Sequence, residues 1–142
     1  MVKKCFFCDI QKQGDDKKIL ESDNFFSRYD DFPVSKGHCQ IVPKDHINSF
    51  FDLDNDYIQD LFGILKEIKE LIQDRFNPDG YNIGINEDEA AGQTQHHLHI
   101  HLIPRYRGDV KNPRGGVRNI FPKKADYFPA AKNMPSKKDY IN

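Results

Sequence analysis

The feature that most constrains the fold is a run in which histidine alternates with apolar residues, His97-Leu98-His99-Ile100-His101-Leu102-Ile103. Side chains on a β-strand alternate between its two faces, so His97, His99 and His101 would share one face at intervals of about 6.6 Å. The opposite face would be apolar and would pack on a core. The run therefore predicts a half-buried strand that carries a row of imidazoles.

Packing alone does not account well for such a row. A buried row of three imidazoles needs hydrogen-bond partners for up to about six ring nitrogens, and each unpaired nitrogen would destabilise the fold. Two chemical roles remain. Alternating histidines can coordinate a metal ion, and a neutral imidazole is a competent nucleophile near pH 7.

The rest of the sequence predicts an α+β fold with mainly antiparallel strands. Apolar residues recur at helical spacing from Asn55 to Phe76, which predicts one long helix on an apolar surface. A short helix is expected at residues 9–12, closed by Gly14. The buried face of the long helix is expected to contain Ile58, Leu61, Phe62, Leu65, Ile68, Leu71, Ile72 and Phe76. The predicted strands lie near residues 19–21, 25–29, 39–42, 81–86 and 97–103.

Length and charge limit the class of protein. The 142 residues fit one compact domain. No run is apolar enough to span a bilayer, and the opening residues lack the apolar stretch of a secretion signal. We therefore expect a cytoplasmic protein with no membrane partner. A nucleic-acid binder of this size is usually basic throughout, whereas this chain has a net charge of −1, so no nucleic-acid partner is expected.

The charge is nevertheless uneven along the chain. Residues 1–104 carry 11 basic and 19 acidic side chains, and residues 105–142 carry 10 and 3. The basic segment is either a solvated tail on an acidic body or a contact for a phosphate-bearing ligand. In the second case Arg105, Arg107, Arg114 and Arg118 are the candidate phosphate contacts, and removing the tail should weaken binding of long polyphosphates most.

Cys5-Phe6-Phe7-Cys8 forms a Cys-x-x-Cys pair, which supplies only two of the four ligands of a structural zinc ion. A redox pair or two buried thiols are the alternatives, although no βαβ context supports redox chemistry. Three cysteines of this kind suit a reducing compartment. Cys39 lies in an apolar strand and is expected in the core.

Two segments carry a resemblance to a known family. Gly92-Gln93-Thr94-Gln95-His96-His97-Leu98-His99-Ile100-His101-Leu102-Ile103 resembles the signature of the histidine triad (HIT) family, His-φ-His-φ-His-φ-φ with φ apolar, including the preceding Gly-Gln-Ser/Thr. Pro33-Val34-Ser35-Lys36-Gly37-His38-Cys39-Gln40-Ile41-Val42-Pro43-Lys44-Asp45-His46 is similar to the family's Pro-x-x-x-Gly-His-x-Leu-φ-φ-Pro-Lys-x-His stretch. The resemblance spans about residues 4–106.

The resemblance implies a HIT-like fold, in which a five-stranded antiparallel sheet is crossed by one long helix. It implies a HIT domain at residues 1–106 and a basic extension of the same domain at residues 107–142. Members of the family commonly form homodimers, so a homodimer is expected.

The family's chemistry attacks the α-phosphate of a nucleotide. By match to the motif, His99 is the nucleophile and forms a nucleotidyl-histidine intermediate. The backbone carbonyl near His97 would accept the proton of its second nitrogen, and His101 would contact the phosphate oxygens. Thr94 matches the position whose hydroxyl assists the leaving group.

Other positions match the family's binding residues. Asp30 would hold the ribose, Asn86 would contact the ligand, and Gly92 and Gln93 would lie along the phosphates of a purine nucleotide. Without the resemblance, Asp30 is a turn residue and Asn86 a strand cap. His38 is expected to support the site or its loop, and His96 to lie at the surface or in an interface.

Many bacterial members have a similar N-terminal Cys-x-x-Cys. Their zinc ion is completed by the histidine after Pro-Lys-x and by the first histidine of the triad. The corresponding ligands here are Cys5, Cys8, His46 and His97, so a structural zinc ion is expected and no organic cofactor is implied.

These expectations leave three function classes. The first is a hydrolase that acts on a dinucleoside polyphosphate or a nucleoside phosphoramidate. The second is a nucleotidyl transferase with the same intermediate, and the third is a nucleotide-binding regulatory protein.

Overall fold

The computed structural model describes residues 4–127 and Lys138. Its strands form one antiparallel five-stranded sheet in the order β1-β2-β3-β5-β4. The α+β class, the five-stranded sheet and the long helix are thereby confirmed. The strands are β1 (Lys18–Glu21), β2 (Phe25–Tyr29), β3 (Cys39–Pro43), β4 (Gly80–Ile85) and β5 (Ile100–Arg105). The helices are α1 (Phe6–Gln13) and α2 (Asn55–Phe76).

Helix α2 covers one face of the sheet. The side chain of Asp54 caps its start by accepting a hydrogen bond from the Tyr57 backbone N–H, and Asn77 ends it in a left-handed conformation. Apolar residues of α2 pack against alternate residues of the strands. The buried core contains Leu61, Ile64, Ile68 and Ile72 of α2 together with Phe25, Cys39, Ile41, Leu98, Ile100 and Leu102.

The predicted face of α2 needs two corrections. Ile64 is buried although it was not expected there, and Phe62 and Ile58 are 62% and 37% exposed. Successive residues are rotated by about 100° around a helix, so Phe62 lies well off the line through Leu61 and Ile68. Cys39 is fully buried in the core, as expected.

The second face of the sheet is partly covered by α1. Phe7 packs there against Phe26 and Val42. Strand register places Arg28 opposite Gln40, and Gln40 opposite His101, in one row across this face. Helix α1 and this polar row therefore lie on the same side of the sheet.

The histidine run is less regular than the sequence predicts. Strand β5 begins at Ile100, so His101 is the member of the triad within a strand. The backbone N–H of Leu98 donates to the Ile47 carbonyl at 2.7 Å, which ties the preceding residues to the loop after β3 instead of to a sheet ladder. The three histidines consequently point to different surroundings.

The chain divides into two compact units between Arg107 and Gly108. Within the second unit, the Arg118 side chain donates to the carbonyls of Ala125 and Lys124 and lies over the Tyr127 ring. Arg114 is 3.8 Å from an oxygen of Asp126. The proposed extension at residues 107–142 reaches beyond the described residues. Among the described residues, none of the helices is long and apolar enough to cross a membrane.

Candidate active site and metal centre

A cavity of about 330 Å³ opens on the face of the sheet opposite α2. Six of the residues expected at the site line it. These are Asp30, Asn86, Gly92, Thr94, His99 and His101. Gly92 adopts a φ of 91°, a conformation that favours glycine, and a Cβ at this position would meet no atom within 4 Å.

The orientation of His99 leaves one ring nitrogen ready to react. Its Nδ1 is 3.0 Å from the backbone carbonyl oxygen of His97. A carbonyl only accepts, so in the neutral ring the proton is on Nδ1 and the lone pair is on Nε2. The Phe7 ring packs 5.1 Å from the His99 ring, centroid to centroid. With this orientation the His99 ring could attack through Nε2 without a base to remove a proton.

A chain of hydrogen bonds fixes the proton of His101. The backbone N–H of Val34 donates to His38 Nδ1 at 3.1 Å, so the proton of the neutral His38 ring lies on Nε2. That nitrogen is 2.9 Å from His101 Nδ1 and donates to it. The remaining proton of His101 is then on Nε2, where it can donate to a phosphate oxygen.

Burial keeps this histidine pair neutral. Burial, together with the neighbouring His99 and His38, lowers the pKa of His101 to about 4, although Asp30 opposes the shift. Burial also lowers the pKa of His38. At neutral pH, His101 thus contributes a hydrogen-bond donor and not a full positive charge.

Asp30 lies between the turn and the triad. One carboxylate oxygen accepts from the Phe32 backbone N–H at 2.8 Å, and the other is 3.5 Å from His38 Nε2 and 3.7 Å from His101 Nδ1. The residue serves as a turn residue and also lines the cavity.

Gln93 does not line the cavity. Its side chain is buried, donates to the backbone and side-chain oxygens of Asn48, and accepts from the Asp88 backbone N–H. These bonds fix the loop that carries Gly92 and Thr94. His96 is exposed.

Several residues that line the cavity were not predicted from the sequence. They share no motif, since they come from α1, β2, β3 and the turn after β2. They are Phe6, Phe7, Arg28, Asp31, Phe32 and Gln40. Only the strand register, which places Arg28 and Gln40 in a row with His101, reveals their common location.

A second cluster brings the two cysteines against two histidines. Ligand atoms of Cys5, Cys8, His46 and His97 all lie within 4.8 Å of one another. His97 Nε2 donates to the Pro43 carbonyl at 2.8 Å, so the lone pair of the His97 ring is on Nδ1. That atom is 3.3 Å from Cys5 Sγ and 3.6 Å from Cys8 Sγ.

This arrangement fits a tetrahedral metal site. With Zn–S near 2.3 Å and Zn–N near 2.0–2.1 Å, sulfur and nitrogen ligands of one zinc ion lie about 3.5 Å apart. His46 Nδ1 is 3.4 Å from Cys8 Sγ, so the three sulfur–nitrogen distances match that value. Burial raises the pKa of Cys8 to about 11, and the neighbouring Cys5 thiol adds to this shift, so a bound metal would displace its proton.

Comparison with known proteins identifies the family. The family model of the HIT domain matches residues 11–108. The chain belongs to the HIT domain family. Relatives of this HIT chain include the protein named hit of Bacillus subtilis, 36% identical over 108 residues that cover 74% of each chain.

Two further relatives have names that state an activity. One is the bis(5'-adenosyl)-triphosphatase of Dictyostelium discoideum, 34% identical over 66% of this chain and 67% of its own length. The other is the adenosine 5'-monophosphoramidase of Candida albicans, 31% identical over 71% of this chain and 70% of its own length.

Solved structures of other HIT proteins share the fold. A HIT family protein from Bacillus anthracis superposes with a TM-score of 0.72 at 30% identity, covering 100% of this chain and 89% of its own. A Zn-bound histidine triad family protein from Mycobacterium smegmatis has a TM-score of 0.68 at 31% identity, covering 76% of this chain and 79% of its own.

Proposed function

We propose that this HIT protein is a nucleotide hydrolase that attacks the α-phosphate of a dinucleoside polyphosphate or a nucleoside phosphoramidate. The observation that carries the proposal is the lone pair of His99 Nε2, which is set by the hydrogen bond from Nδ1 to the His97 carbonyl, with the His101 ring 5.0 Å from the His99 ring, centroid to centroid. The activities named for the Dictyostelium and Candida relatives support the same reaction class.

The reaction would proceed in two displacements. His99 Nε2 forms a bond to the α-phosphorus, and the bond from phosphorus to the leaving group breaks. The leaving group departs with the electron pair, assisted by a proton from the Thr94 hydroxyl, and the Thr94 oxygen regains a proton from the water that attacks in the second displacement. Water then attacks the nucleotidyl-histidine, which releases the nucleoside monophosphate and restores His99.

The remaining residues bind the substrate. His101 donates from Nε2 to a phosphate oxygen, and Asp30 accepts from the ribose hydroxyls. Gly92 and Asn86 contact the ligand from the loop side. Gln93 acts through this loop, because its own polar atoms are bonded to Asn48 and Asp88.

We further propose that Cys5, Cys8, His46 and His97 hold one structural zinc ion. Zinc would join α1 to the loop after β3 and to the triad segment. The four donor atoms and their spacing support this site, as does the Zn-bound relative from Mycobacterium smegmatis. No step of the chemistry uses the metal.

Substitution of the nucleophile tests the hydrolase. His99→Ala should lower kcat on adenosine and guanosine phosphoramidates by at least about 10²-fold while nucleotide binding persists, because only the attacking group is lost. His96→Ala, at an exposed neighbouring histidine, is the matched control and should retain activity. Retention of more than a few per cent of kcat in His99→Ala would contradict the covalent mechanism. Formation of a nucleoside diphosphate on addition of phosphate would instead identify a transferase.

A further inference from the structure

The end of the cavity away from the triad is polar. In the row across the sheet, Gln40 lies beside His101 and Arg28 lies beyond Gln40. Adjacent strands are about 4.8 Å apart, so Arg28 is about 10 Å from the strand of His101. The cavity is lined by His99, Asp30, Gln40 and Arg28 alike, so a nucleotide with its α-phosphate at His99 and its ribose at Asp30 has room to place its base over Gln40 and Arg28.

The Arg28 guanidinium is buried and held on several sides. Its Nε and Nη2 donate to the carboxylate of Asp15 at 2.7 and 3.3 Å, and Nη2 also donates to Asp31 at 3.1 Å. Burial alone would lower the pKa of Arg28, but the hydrogen bonds to Asp15 and Asp31 raise it above its usual value. The Arg28 guanidinium is thus a cation whose orientation is fixed by Asp15 and Asp31.

This cation orients the amide of Gln40. Arg28 Nη1 donates to Gln40 Oε1 at 3.2 Å, which assigns the other amide atom, Nε2, as a donor. Within residues 4–127, Gln40 Nε2 has no hydrogen-bond acceptor, and no fully buried side-chain nitrogen or oxygen lacks a partner. Gln40 Nε2 therefore reaches the cavity that Gln40 lines.

The surroundings suit a flat base with acceptor atoms. Phe6 and Phe7 line the same cavity, and the Phe6 ring lies 5.2 Å from the Arg28 guanidinium carbon. Guanine presents two adjacent acceptors, O6 and N7, at one edge, whereas adenine presents the acceptor N7 beside the donor N6. The N–H donors of Gln40 and Arg28 can therefore donate to O6 and N7 of guanine. With adenine, the N6 amino group would face another N–H donor.

We propose, building on the nucleotide hydrolase function, that Gln40 and Arg28 read the base and select 6-oxopurines, guanine and hypoxanthine, over adenine. Gln40 supplies the discriminating donor, and Arg28 fixes its orientation. Asp15 positions Arg28 from the side away from Gln40.

Nucleotide binding to the full chain tests this selection without turnover. Calorimetry should show GMP bound at least about 5-fold more tightly than AMP, since one matched base contact is worth that much or more. IMP, which keeps O6 and N7 but lacks the 2-amino group, should bind within about 3-fold of GMP.

Two substitutions at one position provide matched controls. Gln40→Glu preserves the acceptor for Arg28 and replaces the donor by an acceptor, so AMP should become the preferred ligand. Gln40→Leu removes the polar contact and should bring GMP and AMP within about 2-fold of each other. Circular dichroism and Tm establish that each variant is folded.

Three results would overturn the inference. Equal binding of GMP and AMP by the unaltered chain would do so while leaving the hydrolase proposal intact. IMP binding as weakly as AMP would assign recognition to the 2-amino group, and a GMP preference unchanged in folded Gln40→Leu would exclude Gln40. Binding of no nucleotide at all would overturn the hydrolase proposal together with this inference.

Discussion

The backbone N–H of Val34 fixes the protons of two histidine rings in succession. It donates to His38, His38 donates to His101, and His101 is left with its own donor facing the cavity. A single backbone group therefore decides which atom of His101 would meet the phosphate in the proposed reaction. At the scale of the residue, the proposed catalysis would depend as much on these hydrogen bonds as on the presence of imidazoles.

The depressed pKa of His101 predicts a loss of stability in acid. Its pKa is about 4 when folded and about 6.5 when unfolded, so the unfolded chain binds more protons between these pH values. The contribution of His101 to the free energy of unfolding should be complete above pH 6.5. It should fall by up to about 3 kcal/mol as the pH decreases to 4. Urea unfolding at intervals from pH 4 to 7 measures the slope.

Other groups titrate in the same range, so a variant isolates the contribution of His101. His101→Asn should show a shallower decrease in the free energy of unfolding between pH 6.5 and 4, because the buried titrating ring is gone. Parallel pH profiles for the variant and the unaltered chain would contradict the assigned cause.

Six of the lining residues were predicted because the sequence resembles the HIT family at their positions. It could not predict Arg28 or Gln40, since a polar residue in a short strand has no pattern of its own and its neighbours depend on strand register. Gln93 was expected along the phosphates, whereas its side chain forms hydrogen bonds with Asn48 and Asp88.

At the scale of elements, α1 depends on its attachments. It has eight residues and no side-chain cap at its start, so it would be marginal in isolation. Phe7 packs on Phe26 and Val42, and Cys5 and Cys8 bring the helix against His97. Metal binding at this cluster would therefore stabilise the position of α1.

Removal of the metal should lower stability before it lowers activity. Purified protein should contain about one zinc ion per chain, and chelation should lower Tm by at least about 5 °C. Cys8→Ser is the control, since its Tm should already be lower and should not respond to the chelator. A metal-free protein whose Tm is unchanged by chelation would show that the cysteines are merely buried thiols.

The elements differ in how well the sequence predicts them. The bounds of α2 were predicted in full, because apolar residues recur at helical spacing over its 22 residues. Strand β5 was extended too far toward the N-terminus, since alternation continues through residues 97–99 although Leu98 bonds to the Ile47 carbonyl. Alternation indicates which side chains oppose each other but not where a ladder ends.

At the scale of the whole molecule, the two edges of the sheet are unlike. Strand β1 carries the ion pair of Lys18 and Glu21 at one edge, whereas Ile83 on β4, at the other edge, is 51% exposed. Charged edges resist pairing, and an apolar edge favours it. If the chain forms the expected homodimer, we predict that β4 lies in the interface.

Light scattering after size exclusion tests this arrangement. The unaltered chain should have the mass of a dimer, and Ile83→Lys should shift it to a monomer because it introduces a charge at the paired edge. Lys18→Ala at the opposite edge is the control and should leave the dimer intact. A monomeric unaltered chain, or a dimeric Ile83→Lys, would contradict the assignment.

The basic extension shows a limit of charge counting. Its net charge raised the prospect of arginines on a polyphosphate, yet Arg118 donates to carbonyls of Lys124 and Ala125, and Arg114 lies near Asp126. Backbone carbonyls carry no formal charge, so the net charge of the extension does not show that they bind its arginines. The role of the extension in substrate selection stays a prediction.

The ring and the backbone carbonyl of His97 make separate contacts. Its ring joins Pro43 to the cysteine cluster, while its backbone carbonyl orients His99. Every amino acid possesses that carbonyl, so the proposed nucleophile does not require histidine at this position, whereas the proposed metal site does. A lineage that replaced the cysteines by apolar contacts would thus be free to lose this imidazole and keep the reaction.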